Sequence, residues 1–103
     1  MTDAMKQNEV HESLKDIDNW HEDESYAMIQ REFQFENFAD AMGFVNEVAE
    51  IAEAENHHPD ICISYNTVVC MLTTHDAGGL TKKDFTVAKK IDDLIEQNNE
   101  KEE

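Results

Sequence analysis

Residues 37–72 read NFADAMGFVNEVAEIAEAENHHPDICISYNTVVCML. Asn37 is a good N-cap, because its side-chain oxygen can accept an N–H left free in the first helical turn. Behind it Phe38, Ala41, Met42, Val45, Val48, Ala49 and Ala52 form a wide apolar stripe at helical spacing. The stripe runs to about Asn56, and Pro59 prevents much continuation. Ile61, Ile63 and Tyr65 then alternate, Asn66 and Thr67 supply a turn, and Val68 to Leu72 is unbroken apolar sequence. This predicts a helix followed by a β-hairpin whose second strand is central and covered on both faces.

The flanks extend the pattern in both directions. Ala27 to Phe35 alternates, with Ile29, Phe33 and Phe35 on one side and Met28, Gln30, Glu32 and Gln34 on the other, as in a half-buried strand. Trp20 to Glu22 can pair with it, turning through Asp23-Glu24-Ser25. Val10, Leu14 and Ile17 mark a short amphipathic helix ending near Asp18. Trp20 follows and reads first as a core plug. On the C-terminal side Asp76 to Gly79 is a loop, and Thr81-x-x-Asp84 resembles a capping box with Asp in place of Glu. Phe85, Ala88, Ile91 and Ile95 carry the last helix. The order α-β-β-α-β-β-α predicts an α+β fold: a four-stranded, mainly antiparallel sheet with three helices on one face.

At 103 residues the chain makes one domain, with the polar segments 1–8 and 97–103 expected to fray. Its 24 acidic and 8 basic residues give a net charge of −16, which repels phosphate backbones and anionic lipid. Direct nucleic-acid and membrane binding are therefore not expected. No apolar run approaches the ~20 residues of a membrane span. The start of the sequence lacks a signal-peptide core. Cys62 and Cys70 show neither CxxC spacing nor a disulfide framework, so both read as reduced packing residues of a cytoplasmic protein.

One constellation stands apart from the core pattern: Glu53, His57, His58, Pro59, Tyr65, His75 and Asp84. Imidazole titrates nearest neutral pH and suits proton transfer in a transition state. Glu53 and His57 are four apart, so on a helix their side chains meet. His57 and His58 also have a bland explanation, as cations favoured at a helix C-terminus. Two adjacent histidines, then Pro59, then His75 at the end of a central strand are harder to dismiss. His75 follows Thr73-Thr74, where a rigid strand would position it. Asp84 and Tyr65 are explained well enough by capping and by a strand end. A metal site is the weaker reading, since adjacent histidines point apart and no HExxH-type spacing occurs.

At these residues the chain resembles the pterin-4a-carbinolamine dehydratases. That family includes an animal enzyme doubling as the dimerisation cofactor of a homeodomain transcription factor. The resemblance covers about Trp20 to Ile95. Its core is Glu53 with His57-His58-Pro59, Tyr65-Asn66, Thr73-Thr74-His75 and Gly79-Leu80-Thr81 with Asp84. Phe33-Gln34-Phe35, Phe38 and Gly43-Phe44-Val45 belong to it as well. It implies the fold read above, as a homodimer or homotetramer, and loss of water from a 4a-hydroxytetrahydropterin to give the quinonoid dihydropterin. It calls for no metal and no redox cofactor.

Residue by residue, His57 and His75 match the family's acid/base pair, and His58 its pterin-contacting histidine. Glu53 and Asp84 match supporting acids, Pro59 shapes the loop, Thr73 and Thr74 lead into His75, and Trp20 matches a tryptophan near the site. Many relatives carry Trp at the place of His75, so this chain resembles the animal-like three-histidine subgroup. Asp60-Ile61-Cys62 replaces the usual aromatic after His-His-Pro, which alters one wall of the pocket. Two other roles fit the same resemblance. One is a dimeric module docking a helical partner protein through the second helix; the other is pterin handling in molybdopterin metabolism.

Overall fold

The two alternating segments and the apolar run pair into one antiparallel sheet. The computed structural model describes residues 3–101. In chain order its elements are α1 (Gln7–Leu14), β1 (His21–Glu22), β2 (Ile29–Gln34), α2 (Phe38–Glu55), β3 (Asp60–Ser64), β4 (Thr67–Leu72), a 3-10 turn (His75–Ala77) and α3 (Lys82–Lys101). The expected order α-β-β-α-β-β-α holds. The sheet is open, in the order β1-β2-β4-β3. Of the segments expected to fray, residues 1–2 and 102–103 lie outside the described residues. Met5, within the N-terminal one, donates its N–H to Leu80 O at 2.7 Å.

Register sorts the side chains. Ile29 lies opposite Leu72, Phe33 opposite Val68, and Ile61 opposite Cys70. With period two these residues share the face that the helices cover. Ile29, Val68, Cys70 and Leu72 are fully buried there, each of the larger ones contributing roughly 1.5–3 kcal/mol of hydrophobic stabilisation. The ring centroids of Phe33 and Phe44 are 4.7 Å apart, and Trp20 meets Phe33 edge-on.

Four local expectations are corrected. β4 is covered on one face only: Val68, Cys70 and Leu72 are buried, while Val69 and Met71 are half-buried on the other face. The continuous apolar run concealed that alternation. The hairpin turn is Tyr65-Asn66, one residue earlier, because Tyr65 adopts the left-handed conformation (φ 52°). α2 is rotated from the expected stripe, burying Ala41, Phe44, Val48 and Ala52 and leaving Phe38 half exposed. α1 stops at Leu14, and Ile17 reaches the core from the loop beyond it.

Asn37 caps α2 as predicted, accepting the Asp40 N–H at 2.8 Å. Asp23 shapes the β1–β2 turn by accepting the N–H groups of Ala27 and Met28. The Ser25 hydroxyl on the same carboxylate is the main reason that its pKa lies below the usual 3.8. That contribution to stability is present above the unfolded pKa and is lost as pH falls through the lower folded value.

The cysteines divide. Cys70 is buried, and burial pushes its thiol up to about 12; Cys62 is exposed on the outer face of β3, contrary to the packing role expected. A thiol reagent at pH 8 should therefore label Cys62 in the native protein and Cys70 only after denaturation. Equal native labelling of both would contradict this burial. Among the described residues no helix is long and apolar enough to cross a membrane.

Candidate active site

The site begins with how α2 ends. Asn56 takes the left-handed conformation (φ 51°, ψ 41°) just past the helix. The Asn56 N–H reaches Glu53 O at 3.3 Å, and the His57 N–H reaches Ala52 O at 3.1 Å. These two bonds form a Schellman motif, which turns the chain sharply off the helix axis. His57 therefore leaves the helical face that Glu53 shares.

The expected Glu53–His57 pair is replaced by a crossed arrangement. Glu53 Oε2 lies 2.5 Å from His58 Nε2, and both side chains are more than half exposed. His57 turns inward until its side chain is 12% exposed, and its Nε2 lies 2.6 Å from Oδ1 of the fully buried Asp84. An exposed ion pair such as Glu53–His58 contributes at most ~1 kcal/mol.

Asp84 is the hub of the cluster. Its Oδ2 accepts the Thr81 N–H at 2.9 Å and the Thr74 hydroxyl at 2.8 Å, and its Oδ1 faces His57. Only half of the expected capping box forms: the Thr81 hydroxyl accepts from Lys83 N–H rather than from Asp84. Thr74 and Thr81 hydroxyl oxygens are 2.9 Å apart. Thr74 has one hydroxyl proton and gives it to Asp84, so Thr81 donates to Thr74. Opposite an ionised carboxylate, which only accepts, His57 Nε2 would be the donor, and that tautomer leaves Nδ1 with a free lone pair.

His75 sits on the loop that Thr74 opens. Thr74 N–H donates to Gly79 O at 2.9 Å, and Gly79 N–H returns to Thr74 O at 3.3 Å, closing residues 74–79. Within the loop His75 begins the 3-10 turn and is exposed, and Gly78 (φ 77°) ends the turn. The loop is braced from outside, since a Cβ on Gly79 would lie 3.0 Å from the Ala4 Cβ. His57 and His75 are thus joined through Thr74 and Asp84.

The remaining candidates take other places. Thr73 donates its hydroxyl to Ala27 O at 2.6 Å and ties the end of β4 to the start of β2. Pro59 follows His58 in a trans linkage and leads into β3. Trp20 is buried, and its indole N–H donates to Asp92 Oδ1 at 2.7 Å, so it belongs to the core rather than to the histidine cluster. Among the described residues no group of three His, Cys, Asp or Glu side chains converges as a metal site.

Sequence reasoning missed two residues. Thr81 stood in the family motif and as a cap but was given no place in the site, yet its N–H holds Asp84 in place. Asp92 is buried and binds Trp20, Arg31 and the Asp18 N–H. The signal was present, since Asp84 and Asp92 are eight apart and so lie on one side of α3 with Ala88.

The chain matches the family profile described as pterin 4 alpha carbinolamine dehydratase over residues 3–94. A protein of Picosynechococcus sp., provisionally named pterin-4-alpha-carbinolamine dehydratase, is 48% identical over 91% of this chain and 100% of its own length. One of the same provisional name from Sulfurisphaera tokodaii is 44% identical over 88% of this chain and 96% of its own. The crystal structure of a transcriptional coactivator/pterin dehydratase from Brucella melitensis superposes with a TM-score of 0.82 at 34% identity. That match covers 86% of this chain and 95% of the Brucella chain.

Proposed function

The chain belongs to the pterin-4-alpha-carbinolamine dehydratase family, a family of hydro-lyases, and on that premise we propose that it dehydrates 4a-hydroxytetrahydropterin to quinonoid dihydropterin by histidine acid–base catalysis, in tetrahydrobiopterin recycling. The observation that carries this reading is the 2.6 Å contact between His57 and the buried Asp84, in a cluster that also anchors the His75 loop.

The chemistry needs two proton transfers. The C4a hydroxyl leaves as water when protonated, and loss of the N5 proton lets the C4a=N5 double bond form. Asp84 holds a proton on His57 Nε2, which leaves Nδ1 as the base for N5–H. The exposed His75 donates to the departing hydroxyl. His58, steadied by Glu53, orients the ring. An imidazole on each side keeps the proton count balanced over one turnover.

Direct assay tests the proposal. Ultraviolet absorbance should show the carbinolamine decaying faster with the protein than in buffer, and a rate no faster than buffer would sink it. Glu53→Gln should change kcat by less than about threefold, because an exposed pair is worth so little.

Two free cysteines support a reducing, cytoplasmic setting. A homodimer or homotetramer is part of the same proposal. The coactivator description of the Brucella protein favours a second reading, in which α2 docks a helical partner. Partner binding that survives His57→Ala would support it.

A further inference from the structure

The two outer histidines of the site are held in different ways. His57 is fixed through its ring, by Asp84 at 2.6 Å. His75 is exposed at the head of the loop 74–79 and takes its place from the loop backbone. The base of that loop is Gly79, which exchanges both main-chain hydrogen bonds with Thr74. Gly78 is left-handed and Gly79 is not, so backbone conformation does not call for glycine at 79. Space does: Gly79 is buried, and a Cβ on it would lie 3.0 Å from the Ala4 Cβ and 3.8 Å from the Ala27 Cα.

The segment that fills this space precedes α1. The Met5 N–H donates to Leu80 O at 2.7 Å, directly after Gly79, and the Met5 side chain packs against the core. Lys6 then opens α1, its N–H reaching Glu9 Oε1 at 2.8 Å. α1 is anchored in turn by the fully buried Val10 and by His11, whose ring meets Tyr26 edge-on with centroids 5.1 Å apart. Tyr26 precedes Ala27, and the Thr73 hydroxyl ties Ala27 O to the strand end that leads into His75. Gly79 is thus seated against Ala4 and Ala27, each anchored separately.

We propose that Ala4 and Met5 form a strap that positions His75 for proton donation, acting through Gly79 and not through contact with the pterin. The inference rests on the acid role given to His75 above. Pushing the strap away from Gly79 shifts the base of the loop, and the loop carries the imidazole off the line of the departing hydroxyl. The pterin, oriented by His58, stays bound. Such a displacement lowers kcat with little change in KM. His57 is insulated from it, because Asp84 sits in the first turn of α3 and is itself held by the Thr81 N–H at 2.9 Å.

The test is a cycle of single-turnover dehydration rates, measured over a range of protein concentrations in excess of pterin. Gly79→Ala should lower the saturating rate about tenfold and leave the half-saturating concentration within about threefold of wild type. Adding Ala4→Gly, which removes the facing methyl, should restore most of the rate. In a His75→Ala background Gly79→Ala should cost less than about twofold, since the group that it displaces is gone. A fall caused by misfolding would appear equally in both backgrounds. Met5→Pro set beside Met5→Ala serves if Gly79→Ala does not fold. Proline alone removes the N–H to Leu80 O, and it should be slower than alanine by about threefold or more, again only where His75 is present. Equal losses with and without His75 would overturn the strap, as would a Gly79→Ala protein at the wild-type rate. Wild type no faster than buffer, or His75→Ala at the wild-type rate, would overturn it differently, by removing the acid role on which it rests.

Discussion

Replacing His57 by alanine should slow dehydration by about 10²- to 10⁴-fold, the range for loss of a positioned acid or base. A companion variant separates chemistry from structure. His57→Ala leaves the Oδ1 face of buried Asp84 without its partner, which costs about 1–3 kcal/mol of stability on its own. His57→Gln can still donate an N–H to Asp84 but cannot exchange a proton at neutral pH. The glutamine variant should therefore recover most of the thermal stability and none of the rate. A His57→Gln protein within about threefold of wild-type kcat would show that the ring serves only as a hydrogen-bond donor.

Asp92→Ala should be the most destabilising single change in the core. Asp92 is 2% exposed and accepts from Arg31 at 2.6 Å, from Trp20 at 2.7 Å and from the Asp18 N–H at 2.9 Å. Arg31 is itself largely buried, and its Nε has no hydrogen-bond partner among the described residues. Its guanidinium lies 4.6 Å from the Phe33 ring centroid. Removing the carboxylate strands that cation in the core, at a cost of about 3–5 kcal/mol. For a domain of this size the expected fall in Tm is on the order of 12 °C or more. Arg31→Met with Asp92→Leu should recover part of the loss, because replacing both partners removes the unpaired charge. An Asp92→Ala variant melting within a few degrees of wild type would contradict this account.

The element order was legible because its signals are local. Asn37 caps α2, Pro59 follows its end, and the alternation of residues 27–35 is a direct record of the pleat. The apolar run 68–72 was harder to read: a strand buried on one face and half-buried on the other gives the same unbroken hydrophobicity as one buried on both. In α2 the expected stripe passed over Phe44, which packs on Phe33 and Phe35, and included Phe38, which is half exposed.

The site residues could be gathered from the sequence, but not their partners. Glu53 and His57 have helical spacing, yet the left-handed Asn56 lies between them and redirects His57 to Asp84, 27 positions along the chain. A single backbone conformation thus decides which carboxylate holds which imidazole. Asp84 was legible as a cap and, by resemblance, as a supporting acid, and it does hold the Thr81 N–H. Its second oxygen is what capping leaves over.

The central claim is that Asp84 acts on the pterin reaction through His57. The most direct measurement is a cycle of dehydration rates for wild type, His57→Gln, Asp84→Asn and the double variant, each shown to be folded by circular dichroism. Asp84→Asn should cost about 10²-fold in kcat, since an amide does not hold the imidazole proton on Nε2 as a carboxylate does. The double variant should be no slower than His57→Gln, because an acid that only positions His57 has nothing left to position. A double variant slowed by the product of the two single effects would contradict the account.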